Sequence, residues 1–278
     1  MLEVTGLELA LPDLSAKRGF ARAPLVSILR NLSFCVNQGE SVGVVGQSGS
    51  GKTSLGRTLM RLNEPTSGRI VFDGVDISHL QEAELRPLRR RFQMIFQDPQ
   101  SSLNPRRRIG QSIIQPLMAY GMLTNPQQGW QRSEELLERV GLEPMLSRRY
   151  PHELSGGQRQ RVGIARAISL EPEFVVADEI VSGLDVSSQA QILRLLRRLQ
   201  SELGLTLVFI SHDLSVVRAV CDRVIVMSHG EIVESGSCAE VFSHANHWYT
   251  RELISAIPLP DVDEKWLNDI DAQDNKVG

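Results

Sequence analysis

Cysteine is scarce in this sequence: Cys35, Cys221 and Cys238 are the whole set of 3 among 278 residues. None stands at metal-ligand spacing from another, and an odd, sparse set fits a reducing compartment rather than a disulfide scaffold. Long hydrophobic runs are missing as well. No stretch approaches the roughly 20 apolar residues that a membrane helix needs. The opening MLEVTGLELALPDL carries no basic leader and no apolar core of signal length, so a secretory signal is not expected. The chain is expected to be soluble, or to sit on a membrane only through a partner. An excess of positive charge is also lacking: 30 Lys and Arg stand against 33 Asp and Glu, a net charge of −3. That balance gives no general case for nucleic-acid binding. What remains is an ordinary globular composition, 41% hydrophobic and 23% charged, enough for a sizeable core in one large domain or two small ones.

Short β-rich runs alternate with helical ones. SVGVVG (41–46) and FVVAD (174–178) are continuous apolar runs, the pattern of strands buried on both faces. LTLVFIS (205–211) and RVIVMSHGEIVESG (223–236) are further strand candidates, the second broken by His229-Gly230 as a hairpin turn. Helices are expected at 52–62, 132–141, 157–169, 188–203 and 213–220. Strand–helix alternation predicts an α/β domain with a largely parallel sheet. Residues 98–150 differ: helical pattern, several prolines and no convincing strand predict a helical insert. The acidic tail from Asp261, poor in apolar residues, is expected to be loosely ordered.

GQSGSGKT, from Gly46 to Thr53, matches G-x-x-x-x-G-K-[ST], follows an apolar run and leads through Ser54 into a helical segment. Gly46, Gly49 and Gly51, with Gln47, Ser48 and Ser50 between them, let backbone N–H groups curl around phosphate oxygens. Lys52 supplies a cation to the β- and γ-phosphates, the Thr53 hydroxyl suits Mg²⁺, and the helix N-terminus adds its dipole. FVVADE ends a buried strand with Asp178 and Glu179. Adjacent acids there are costly unless they serve a cation or a reaction: in P-loop enzymes the first holds Mg²⁺, usually through water, and the second can deprotonate the attacking water. Gln97 and His212 also follow apolar strands, where a parallel sheet opens onto its ligand crevice. Gln97 could bind Mg²⁺ or the water and His212 the γ-phosphate, or each could be a plain loop residue.

ELSGGQRQRVGIARAI poses a question of local energetics. Ser155 and Gln158 form a capping box, yet Gly156 and Gly157 fill the first turn, each at roughly 1 kcal/mol relative to alanine.

Five elements stand in one order: GQSGSGKT, FQDPQ, LSGGQRQRV, FVVADE with SGLD just after, and SHD. The chain resembles the ATP-binding cassette transporter ATPases over roughly residues 2–258. The resemblance implies a P-loop NTPase, RecA-like core with a mainly parallel sheet, an antiparallel β subdomain, and a helical insert at about 98–165 carrying LSGGQ. It implies one cassette over 1–260, with 261–278 as the tail. It also answers the question of the glycines. In this family two cassettes face head to tail, and Ser155, Gly156, Gly157 and Gln158 of one cover the γ-phosphate bound by the P-loop of the other. Bare first-turn N–H groups then serve as an anion site. By the same resemblance the cofactors are ATP and Mg²⁺, held by Lys52 and by Thr53, Gln97 and Asp178; Glu179 is the general base, His212 the γ-phosphate sensor, and Asp185 of SGLD lies at the dimer seam.

FQDPQSSLNPR, VSGLDVSSQAQIL and YTRELISAIPLP look like the branch that powers import of oligopeptides, dipeptides and nickel. Many relatives continue into a cysteine-bearing extension. With no cysteine after Cys238, no iron–sulfur site is expected. The implied partners are a second cassette, identical or related, two membrane permease subunits and, indirectly, a periplasmic substrate-binding protein, with the chain peripheral on the cytoplasmic face of a bacterial inner membrane. Non-transport cassettes of DNA repair or translation are the alternative. Those usually carry coiled coils, zinc modules or tandem cassettes, and none is visible in this sequence. Three positions depart from the family pattern. Ile180 stands where proline is usual, and Gly183 where this branch has alanine. The aromatic that stacks on adenine is replaced by Leu11, with Phe20 as the other candidate. Two arginine clusters, Arg86, Arg89, Arg90 and Arg91, and Arg106, Arg107 and Arg108, are either solvated faces or contacts for a permease loop or anionic headgroups. No aromatics interleave with them, so base stacking is not expected.

Overall fold

A computed structural model describes residues 1–13, 23–98 and 102–256. The chain divides into two compact units, one formed by Met1–Leu88 with the described residues from Thr206 to 256, the other by the described residues of Arg89–Leu205. The fold is α/β, with both parallel and antiparallel strands.

In the first unit the apolar runs become central strands. β3 (Ser41–Val45) and β8 (Thr206–Ile210) are buried at every position and pair in parallel; β3 also pairs in parallel with β9 (Arg223–Ser228). The chain then reverses into β10 (Glu231–Ser237), antiparallel to β9, with Glu231 opposite Ser228. His229 and Gly230 make that turn with φ of 49° and 82°, the two-residue loop with both centres left-handed that suits strand twist. The expected hairpin is therefore present.

The same unit holds an antiparallel sheet of β1 (Leu2–Pro12), β2 (Leu25–Val36), β4 (Ser67–Phe72) and β5 (Val75–Asp76), in the order β2-β1-β4-β5. Leu2 and Val4 are buried on β1, and then Leu7 and Leu9. The buried set switches from even to odd positions because the register shifts between Val4 and Leu7, a bulge that re-aims every later side chain.

In the second unit β6 (Phe92–Ile95) pairs in parallel with β7 (Phe174–Asp178). The described residues from 102 to 168 form helices and short 3-10 turns and no strand, as the helical pattern predicts. The helix expected at 132–141 spans Pro126–Arg139 instead. Asn125 caps it, its side chain accepting from the Gln127 N–H at 2.8 Å, and Pro126 takes the first helical position, where its missing N–H costs nothing. The helix expected at 52–62 runs over Lys52–Leu59, because Arg61 takes a left-handed φ of 51°. The remaining expected helices lie at Gly156–Ile168, Val186–Leu203 and Leu214–Val220.

Candidate active site

The sequence-selected residues divide between the units. Gly46 to Ser54, His212 and Leu11 belong to the first; Gln97, Ser155 to Gln158, Asp178, Glu179 and Asp185 belong to the second.

β3 delivers the chain to Gly46, whose φ is 152°. A Cβ there would stand 2.2 Å from the Met227 carbonyl oxygen on β9, so only glycine fits the turn. Gly51 precedes the Lys52–Leu59 helix in a left-handed conformation and offers no side-chain cap. The first N–H groups of that helix therefore present an anion site. Lys52 is 4% exposed. A buried ammonium must be compensated, and Nζ donates to the carbonyls of Gly46 at 2.7 Å and Gln47 at 2.9 Å. A cation poised inside a glycine loop, beside uncapped helix N–H groups, fits a polyphosphate.

His212 follows β8 and is exposed. The next residue, Asp213, caps the Leu214–Val220 helix by accepting from the Ser215 N–H at 2.9 Å. Leu11, half-buried, lies opposite Val26 across β1 and β2, and Val26 and Leu25 are exposed. β2 also passes the glycine loop, with the Ile28 carbonyl oxygen 3.1 Å from where a Gly51 Cβ would stand. Phe20, Pro99, Gln100 and the acidic tail lie outside the described residues.

In the second unit, β7 ends on Asp178, which is 2% exposed. Glu179 follows with a left-handed φ of 46°, an uncommon backbone for a residue other than glycine and one found at functional turns. The Gln97 amide donates to Glu179 Oε2 at 2.8 Å, so the two strand-end residues meet. Ile180 is 1% exposed: the position that departs from the family pattern anchors the turn in the core. Gly183 has a φ of 75°, which explains glycine there, since a Cβ in that region is strained.

Ser155 caps the Gly156–Ile168 helix. Its hydroxyl accepts from the Gln158 N–H at 3.2 Å, and its own N–H donates to Gln158 Oε1 at 3.0 Å. The capping box is present as the sequence predicts. The glycines between are not demanded by this chain: a Cβ on Gly156 would come no nearer than 3.6 Å to Leu184, and one on Gly157 no nearer than 3.5 Å to Ser188, both ordinary contacts. Neither has positive φ. Asp185 caps the Val186–Leu203 helix, accepting from the Ser188 N–H at 2.8 Å and the Ser188 hydroxyl at 2.7 Å. These hydrogen bonds, the backbone one first, hold its carboxyl below the usual range. The signature tip and the Asp185 turn thus lie together through Ser188. Farther along, Arg166 donates to the Ser102 carbonyl, tying the signature helix to the segment after Gln97.

The oxygen donors named for a metal suit Mg²⁺: a hydroxyl, a carboxylate and an amide oxygen are hard ligands. Among the described residues no cluster of three or more His, Cys, Asp or Glu could hold a metal. Of the arginine clusters, Arg91 forms a two-pronged pair with Glu173, at 2.6 and 2.8 Å, and is a structural residue. Arg108 lies 5.8 Å from the Tyr150 ring centroid. Sequence reasoning missed Tyr249, whose hydroxyl accepts from the Gln47 N–H at 2.9 Å across 202 residues of sequence; no local signal announces such a contact.

Comparison with known proteins shows the family. The model of the ABC transporter family matches residues 29–182. A putative peptide import ATP-binding protein of Brucella ovis is 53% identical over 250 residues, 90% of this chain and 78% of that one. The oligopeptide transport ATP-binding protein AppF of Bacillus subtilis is 50% identical over 84% of this chain and 71% of its own length. Among solved structures, a dimeric post-hydrolysis state of the ATP-binding cassette MJ0796, bound to ADP and Pi, superposes with a TM-score of 0.76 at 29% identity, over 86% of this chain and 99% of that one. Part of the cbiONQ transporter complex, cbiO1 of Clostridium perfringens, superposes with a TM-score of 0.74 at 29% identity, over 92% and 95%. The chain belongs to the ABC transporter family, as an ATP-binding cassette. Among the described residues, no helix is long and apolar enough to cross a membrane.

Proposed function

We propose that this chain is the ATP-hydrolysing motor of a peptide importer, working as one of two opposed cassettes beneath two permease subunits on the cytoplasmic face of a bacterial inner membrane. The names borne by its relatives support peptides as the cargo class; a periplasmic binding protein would select among oligopeptides, dipeptides or nickel. One cassette spans 1–260, with its helical part at about 98–165.

Bound ATP and Mg²⁺ supply the phosphoanhydride and the charge neutralisation. Gly46 to Ser54 wrap the phosphates and Lys52 neutralises them. Thr53, Gln97 and Asp178 would hold the cation, partly through water. Glu179, oriented by the Gln97 amide, takes a proton from the attacking water. His212 donates to the γ-phosphate. Leu11, with exposed Val26 opposite, offers the adenine an apolar face without aromatic stacking, so affinity for the base is modest. Ser155, Gly156, Gly157 and Gln158 close the site of the opposed cassette, and Asp185 at the seam links the two sites. The pair closes on ATP and opens after hydrolysis. Arg166, bridging the signature helix to Ser102, helps pass that motion toward the region of Arg106 and Arg107, where a permease loop would dock.

One observation carries this reading: the signature glycines answer no need of their own chain. Alanine at 157 has room and improves helix propensity by about 1 kcal/mol. Gly157→Ala is therefore expected to hold or raise Tm while lowering ATPase activity of the assembled complex more than tenfold, with ATP binding by the single chain retained. Wild-type turnover in that variant would show that nothing outside the chain needs the bare turn.

A further inference from the structure

The peptide unit joining Gly46 to Gln47 is gripped at both ends. Its carbonyl accepts from Lys52 Nζ at 2.7 Å, and its N–H donates to the Tyr249 hydroxyl at 2.9 Å. We infer that Tyr249 is a positioning residue for the nucleotide loop: through the Gln47 N–H its hydroxyl fixes the plane of the peptide that holds Lys52, and so couples the Trp248–Ser255 helix to ATP affinity. The inference rests on the reading of Gly46 to Thr53 as the nucleotide loop.

The anchor is built to be rigid. Tyr249 is 5% exposed and sits in the first turn of its helix. His247 caps that helix, its Nδ1 accepting from the Tyr249 N–H at 3.2 Å. The segment before it is tied to β10, where the Glu234 carboxylate accepts from the N–H groups of Asn246 at 2.7 Å and His247 at 3.2 Å. The β9–β10 turn supplies a second hold on the same loop, the Gly230 N–H donating to the Ser50 carbonyl at 3.1 Å. The loop is thus fixed at Gln47 and at Ser50 by residues that follow β9, neither of which its own sequence supplies. A polyphosphate loop binds best when its carbonyls are already turned away from the anion and its cation already placed, because ordering on binding subtracts from affinity. The Tyr249 hydroxyl maintains that order at one peptide.

The test is Tyr249→Phe, which removes the hydroxyl and keeps the buried ring. In the full chain without nucleotide, amide exchange at Gln47 is expected to rise at least tenfold. The Kd for ATP by equilibrium dialysis, and KM in the assembled complex, are expected to rise about 3- to 10-fold, the size of one neutral hydrogen bond, with kcat changed less than twofold. Gln47→Pro deletes the N–H from the other side and is expected to raise Kd similarly. In the double variant Tyr249→Phe should add nothing further, since both changes remove one interaction. A lowered Tm with Gln47 exchange and Kd unchanged, or additive effects in the double variant, would overturn the inference. A wild-type chain that protects the Gln47 amide but binds no ATP would overturn the nucleotide reading beneath it, and the inference with it.

Discussion

Glu179→Gln is expected to bind ATP as the wild type does and to lose steady hydrolysis by roughly 10²–10⁴-fold, the share a positioned base contributes. The substitution is nearly isosteric. It keeps an oxygen to accept the hydrogen bond that Gln97 now donates at 2.8 Å, so the strand-end turn, with its left-handed Glu179 at φ 46°, should stand. What it removes is the capacity to take a proton. Because ATP would still draw two cassettes together and hydrolysis would no longer release them, the variant is expected to elute as a dimer in ATP and as a monomer without it. Turnover within a few-fold of wild type would move the base to another group.

Ser155→Arg is expected to abolish ATPase activity in the assembled complex while a single chain binds ATP with unchanged affinity. Two effects of the substitution have to be separated. Loss of the cap to the Gln158 N–H costs about 1 kcal/mol of local stability, which cannot erase turnover while the fold persists. The second effect is steric and electrostatic: a long side chain would fill the space over a first turn that Gly156 and Gly157 leave bare. Unchanged nucleotide binding by the single chain would certify the fold and place the loss in the opposed cassette. Full ATPase activity in a pure Ser155→Arg preparation would remove the argument that one chain completes the site of another.

The parts of this molecule that were legible in the sequence are those whose physical demand is local. A strand buried on both faces shows as an unbroken apolar run, so β3, β7 and β8 were visible. A capping box is a four-residue pattern, and Ser155 with Gln158 forms one. The His229-Gly230 turn announces its own left-handed centres. The antiparallel sheet was not legible from periodicity, because the bulge after Val4 moves the buried residues of β1 from even to odd positions; only the family resemblance implied it. The Pro126–Arg139 helix began earlier than its apolar pattern, because an asparagine cap and a polar, glutamine-rich first turn hide the period. Gly183 looked like a departure from the alanine usual in its branch and is explained by a backbone angle no pattern displays. Tyr249 stood in a stretch that served only to mark the branch, because its partner lies at the far end of the chain.

The account depends on the signature tip meeting a nucleotide that its own chain does not hold. The most direct measurement is a structure of the assembled, hydrolysis-blocked Glu179→Gln complex with ATP and Mg²⁺. The account predicts Ser155 Oγ of one cassette within hydrogen-bond reach, about 3 Å, of a γ-phosphate oxygen bound by the opposed loop at Lys52. A closed, ATP-loaded complex in which that hydroxyl touches no phosphate, and no second cassette covers the loop, would contradict it.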